Sequence, residues 1–149
     1  EDGLVSTLGI VTGVAAALAT NNIIIIAGLA NMIAAGLSMA AGTYLSAKSQ
    51  LEFFAKGKQK KNIRKTPFEG AVVIFFSFAL GAAFPVAPYF FLSSTAAIPY
   101  SALATAAALF FFGAVKTRYT RVSLLKSGLE MMLIGLAVGA VGYLIGSLV

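Results

Sequence analysis

Neither cysteine nor histidine occurs in this chain of 149 residues. The first absence rules out a disulfide framework and any thiolate metal site. The second removes the commonest metal ligand and the only side chain whose unperturbed pKa lies near neutrality. Ser/His/Asp and Cys/His catalysis, haem ligation by histidine and the HExxH class of zinc enzyme are thereby excluded. No GxxxxGK[ST] phosphate loop is present either. Charge is scarce: Asp, Glu, Lys and Arg make up 11% of the residues, against about a quarter in a soluble domain. That is too little to cover a water-soluble surface of this size.

What is present is apolar and arranged in long blocks. Hydrophobic residues reach 59% and the mean hydropathy is +0.92, whereas a soluble domain is about 45–50% apolar. A helix crossing the hydrocarbon core needs roughly 20 mostly apolar residues, and the blocks have that character. The sequence predicts an all-α, polytopic membrane protein forming a single transmembrane domain over 1–149. Five transmembrane helices are expected, at about 3–20, 23–50, 67–91 (interrupted by Pro85 and Pro88), 96–115 and 123–148, with a basic loop at about 51–66 into which the second helix extends on the cytosolic side through Gln50, Glu52 and Phe54. Asn21 and Asn22 read as a tight turn between the first two helices. Thr66 and Pro67 open the third with a cap residue and a first-turn proline. The block from Gly3 to Ala19 is short for a span, which predicts that its helix begins upstream of Glu1. A signal peptide is disfavoured, because nothing basic precedes the block.

All eleven Lys and Arg residues fall between Lys48 and Lys65 or between Lys116 and Lys126. With five spans these segments share one side, and the positive-inside rule makes it the cytosol. The N-terminus is then cytosolic and the C-terminus is on the opposite side. The cluster from Lys56 to Lys65 reads as a topology determinant that touches anionic lipid headgroups, not as a nucleic-acid site.

Apolar burial cannot drive helices together in lipid, so small residues that allow close approach carry information. The fifth helix has GxxxG steps at Gly135/Gly139 and Gly142/Gly146, and the first offers Gly9 and Gly13. The second offers a small face through Ala27, Ala34, Ala35, Ser38, Ala41 and Gly42. Packing within one subunit is the first reading of these glycines. Five short helices enclose little space, so an ion path calls for a homodimer.

Polar groups at membrane depth mark pathways or structural bonds. The candidates are Asp2, Asn31, Met32, Ser38, Met39, Glu69 and Glu130, the last followed by Met131 and Met132. A carboxylate with thioether and amide oxygen suits transient binding of a divalent transition metal rather than Mg²⁺ or Ca²⁺.

Longer strings carry a resemblance. DGLVSTLGIVTGVAA from Asp2 to Ala16 and AGLSMAAGTYLSAKSQ from Ala35 to Gln50 resemble the first two helices of the vacuolar iron transporter family. LGAAFPVAPYF from Leu80 to Phe90, FGAVK from Phe112 to Lys116, SGLEMMLIG from Ser127 to Gly135 and YLIG from Tyr143 to Gly146 are similar to its later helices. The resemblance implies a five-helix homodimer that exports Fe²⁺, often Mn²⁺ too, from the cytosol in a proton-coupled manner. The ion path lies between the subunits, and no resident cofactor is needed. The membrane would be vacuolar in a eukaryote and the plasma membrane in a prokaryote. By position, Asp2 matches the family's first-helix carboxylate in the path and Met39 its second-helix methionine. Asn31 and Met32 are grouped with them as metal-site residues, and Glu69 and Glu130 are read as entry or proton groups.

Three departures are visible. Asn31 stands where some members place Glu, and Thr43 stands where prokaryotic relatives carry Glu. The Glu-rich cytosolic domain of well-studied members is replaced by the short basic loop. Together they leave a second expectation open, a non-transporting interaction or lipid-binding module of the same fold.

Overall fold

The computed structural model describes residues 1–56, 66–120 and 123–149. Among them are five α-helices: α1 (Asp2–Ala16), α2 (Asn21–Lys56), α3 (Pro67–Val86), α4 (Ser94–Thr120) and α5 (Leu124–Ser147). Four, α2 to α5, are long and apolar enough to cross a membrane, while α1 is a shorter apolar helix. Large side chains such as Ile26, Leu37, Phe76, Leu103 and Leu133 face outward. An apolar surface of that extent has no place on a soluble monomer, but it is the surface a bilayer solvates. The protein is a polytopic all-α membrane protein.

Helix ends follow local chemistry. α1 stops at Ala16 rather than near residue 20, because Leu18 turns left-handed (φ 58°), a conformation that ends a helix of L-residues. Asn21 and Asn22 therefore open α2 instead of forming the turn. The Asn21 amide donates to the Tyr89 carbonyl (2.9 Å) and the Leu92 carbonyl (2.5 Å), pinning the start of α2 to the end of the third apolar block. That block does not run as one α-helix to residue 91. Pro88 has no N–H for the carbonyl one turn back, and the chain tightens into a 3-10 segment, Ala87–Phe90. The Ser101 hydroxyl of α4 donates to the Pro85 carbonyl beside this change (2.7 Å). At the other end of α3, Thr66 and Glu69 form a reciprocal capping box.

α2 has 36 residues, about 54 Å at 1.5 Å each, against a hydrocarbon core of about 30 Å. The helix continues to Lys56, two residues beyond the extension expected through Phe54. The rest of the expected loop, 57–65 with most of its lysines, lies outside the described residues. Lys48 and Glu52 form an exposed i,i+4 pair at 4.0 Å.

α1 is the hub: it packs on each of the other four helices, whereas α5 packs on α1 and α4, and α2 on α1 and α3. Leu4, Leu8, Val11 and Ala15 of α1 are buried, with Val11 and Ala15 against Ile24, Val86, Tyr89 and Ala97, and Leu4 against Ala108 and Leu109. On the α5 side the two backbones meet without side chains between them. A Cβ at Gly142 would strike the Gly9 carbonyl, one at Gly146 the Gly13 carbonyl, and one at Gly13 would lie 2.9 Å from the Gly142 carbonyl. The Thr12 hydroxyl, bonded to the Leu8 carbonyl (2.7 Å), also reaches the Gly139 carbonyl (3.1 Å). The α5 glycines thus meet α1. The small face of α2 is used otherwise: Ala34, Ser38 and Ala41 are exposed, and a methyl at Gly42 would meet nothing within 4 Å.

Gly142→Ala and Gly146→Ala are expected to force α1 and α5 apart, each costing about 1–3 kcal/mol. Gly42→Ala is expected to leave stability unchanged. Thermal unfolding of detergent-solubilised protein, read as loss of the monodisperse gel-filtration peak, measures all three.

A candidate ion path along α2

The antiparallel α1–α2 pair organises the candidate residues. Asn31 of α2, half-buried, donates from Nδ2 to the Thr7 hydroxyl of α1 at 2.9 Å. Thr7 is fully buried. Asn31 is therefore a bond between helices, with its amide oxygen as the remaining acceptor. From that bond Asp2 lies five residues back along α1, about 7.5 Å, and Met39 eight residues on along α2, about 12 Å, in the same direction. Phe78 of α3 sits against both Gly3 and Gly36, which fixes Asp2 at a level between Asn31 and Met39. Asp2 is exposed at the first position of α1, and only its carbonyl is engaged, by the Ser6 hydroxyl at 2.7 Å. Met32 and Met39 are half-buried.

Met39 lines a shallow groove of about 470 Å³ with Gly42, Thr43, Ser46, Ala47 and Gln50. Sequence reasoning passed over Ser46 and Gln50 as groove residues and noted Thr43 only as a departure. The signal was the spacing 39, 43, 46, 50, steps of four, three and four that fall on one helical face.

Of Glu69 and Glu130, the first stands near the groove, since a Cβ on the adjacent Gly70 would lie 3.6 Å from the Thr43 methyl of α2. Glu69 caps α3: its Oε2 accepts from the Thr66 N–H (3.2 Å), and its own N–H donates to the Thr66 hydroxyl (3.3 Å). Glu130 is exposed on α5, with α1 between α5 and α2. Met131 instead turns inward, its sulfur 3.0 Å from where a Cβ on Gly113 would stand. Among the described residues no three of His, Cys, Asp and Glu gather. The donors around Asn31 and Met39 are the Asp2 carboxylate, thioethers, an amide and hydroxyls, a set suited to brief contact with a borderline cation rather than tight storage.

The sequence profile of the VIT family matches residues 1–64 and 58–147. The chain belongs to this family. It is 30% identical to an uncharacterized protein of Methanocaldococcus jannaschii over 159 residues, covering 97% of this chain and 83% of that protein. It is 30% identical to vacuolar iron transporter homolog 1 of Oryza sativa subsp. japonica over 156 residues (96% of this chain, 67% of that protein). Vacuolar iron transporter 1 of the same plant matches at 23% over 200 residues (96% and 79%). An alignment of 200 positions against a chain of 149 puts at least 51 of them opposite gaps in this chain. The two matched stretches overlap at 58–64, in the short basic segment of the sequence between α2 and α3.

A double-mutant cycle of Asn31→Ala and Thr7→Val is expected to give a coupling of about 0.6–1.7 kcal/mol, the range of interhelical hydrogen bonds in membranes. Additive losses of stability would dismiss the bond. Glu69→Gln preserves the capping box and is expected to keep stability, whereas Glu69→Ala loses about 1 kcal/mol.

Proposed function

We propose that this chain is a metal-ion transporter that exports Fe²⁺, and Mn²⁺ as well, from the cytosol in exchange for protons. The ion path runs between two copies of the chain, along α2. The observation that carries this reading is the placement of Asp2 and Met39. A carboxylate and a thioether from different helices stand toward the same end of the α1–α2 pair, beside an open groove whose mainly apolar lining includes Thr43, Ser46 and Gln50. Membership of the VIT family, and relatives named as iron transporters, support Fe²⁺ as cargo.

In this reading all five helices span. The ends bearing Lys48 and Lys116 face the cytosol, as does the N-terminal side, and the C-terminus faces the opposite compartment. The membrane is that of the vacuole in a eukaryote and the plasma membrane in a prokaryote. The second copy covers the small exposed face of α2 at Ala34, Ser38, Ala41 and Gly42. Asp2 is the carboxylate that meets the cation in the path. Asn31, neutral and bonded to Thr7, orients rather than exchanges. Met32 lies one position on, Glu69 and Glu130 serve as entry or proton groups, and the basic loop contacts anionic lipid.

Purified protein in liposomes with a pH gradient is expected to move Fe²⁺ and Mn²⁺. Asp2→Ala and Met39→Ala should reduce flux to the level of empty liposomes while retaining the parent gel-filtration profile. Parent flux no greater than that of empty liposomes, from folded dimeric protein, overturns the exporter reading.

A further inference from the structure

Three buried hydroxyls of the bundle have clear partners. Thr7 accepts from Asn31, Thr12 bonds the Leu8 and Gly139 carbonyls, and Ser101 gives its proton to the Pro85 carbonyl. Two others do not. The hydroxyls of Tyr89 and Thr105 meet no hydrogen-bond partner among the described residues, although the two side chains are only 1% and 0% exposed. Threonine within a helix can bond the carbonyl four residues back, as Thr12 does with Leu8. Thr105 leaves even that bond unmade. A hydroxyl so placed has lost its water without replacement, and such groups in native proteins call for a partner.

Both hydroxyls belong to one place. Ser101 and Thr105 lie one turn apart on α4 and are fully buried, so they share a face, with Cβ atoms about 5–6 Å apart. Tyr89, on the 3-10 segment after α3, brings its hydroxyl to Ser101 closely enough to interact but short of hydrogen-bond geometry. Three hydroxyl oxygens thus gather where the 3-10 segment meets α4. One water bridging two oxygens spans up to about 5.6 Å, twice a hydrogen bond of about 2.8 Å, which matches one helical turn.

The chemistry of the place selects its guest. Every buried polar side chain among the described residues is a hydroxyl, so an ion would stand there without a counter-charge. An apolar guest would leave both hydroxyls as they are. Water suits the site, since a buried water typically makes about three hydrogen bonds. We infer that Tyr89, Ser101 and Thr105 bind one water molecule in the core of the bundle, tying the 3-10 segment to α4. Ser101, its proton committed to Pro85, accepts from the water, while Tyr89 and Thr105 each donate or accept. Pro85 and Pro88 remove two N–H groups from this stretch of backbone, and the water adds a link across it. The inference is independent of the transport reading.

Tyr89→Phe and Thr105→Val each delete one hydroxyl and keep the shape of the side chain. A bound water loses a partner in either variant, so each is expected to lower the Tm by a few degrees, read from the loss of the gel-filtration peak. The double variant is expected to fall by less than the two shifts together, because both act on the same water. A Tm unchanged or raised by the single variants overturns the site, since removing an unbonded buried hydroxyl costs nothing. Strictly additive losses overturn it as well, by giving the two hydroxyls separate partners. X-ray radiolysis read by mass spectrometry, which oxidises a buried side chain where water stands against it, supplies a second measurement. Tyr89 is expected to be oxidised in the parent protein and severalfold less in Thr105→Val, while Phe78, buried at 4% exposure, stays unmodified. Tyr89 as unreactive as Phe78 overturns the inference, and this reading of the parent decides alone should a variant fail to fold.

Discussion

The backbone-to-backbone contact between α1 and α5 is the constraint on which the bundle depends. A short helix, 15 residues long, occupies the centre and touches all four others. Where Gly9 and Gly13 face Gly142 and Gly146, the main chains approach as closely as two helices can. Dispersion and weak polar contacts gain most at such distances, and in lipid they must hold helices together because apolar burial adds little. The Thr12 hydroxyl crosses the same seam to the Gly139 carbonyl.

With α1 held there, its opposite side is left to organise polar groups. The Asn31–Thr7 bond sets the register between α1 and α2, and Asn21 clamps the start of α2 to the carbonyls of Tyr89 and Leu92. Those two amides leave little freedom for α2 to slide. Asp2 is consequently presented partway along α2, not at its end, and Met39 follows on the neighbouring helix. One carboxylate with soft and neutral donors on the neighbouring helix is the outcome, the set on which the proposed ion path rests.

The long apolar blocks, the cap at Thr66 and the proline break at the end of α3 could be read from residues alone, since each is a local effect. The early stop of α1 could not. Leu18 adopts a left-handed turn that glycine ordinarily supplies, and nothing in its identity announces it. The role of Asn21 was equally hidden, because its partners lie far along the chain. Glu69 had a local alternative in the S/T-x-x-E pattern that Thr66 begins, and the structure uses it. Of the candidate site, Asp2 and Met39 were legible through the strings around them. The groove behind Met39 was written in the 39, 43, 46, 50 spacing, but small hydroxyl residues are so common in membrane helices that spacing alone did not single them out.

By itself, then, the sequence determined the solvent of this protein and its helical class. Hydrophobicity, scarce charge and block length are sums over many residues, and no tertiary arrangement can reverse them. It also determined kinship, through strings specific enough to place the chain in the VIT family. Tertiary structure decided which glycines meet, that α1 and not α2 is the partner of α5, and which polar side chains bond and which stay open. Those outcomes depend on register between helices distant in sequence. Register is set by a few contacts, such as Gly142 on Gly9 and Asn31 on Thr7, whose residue types are individually unremarkable.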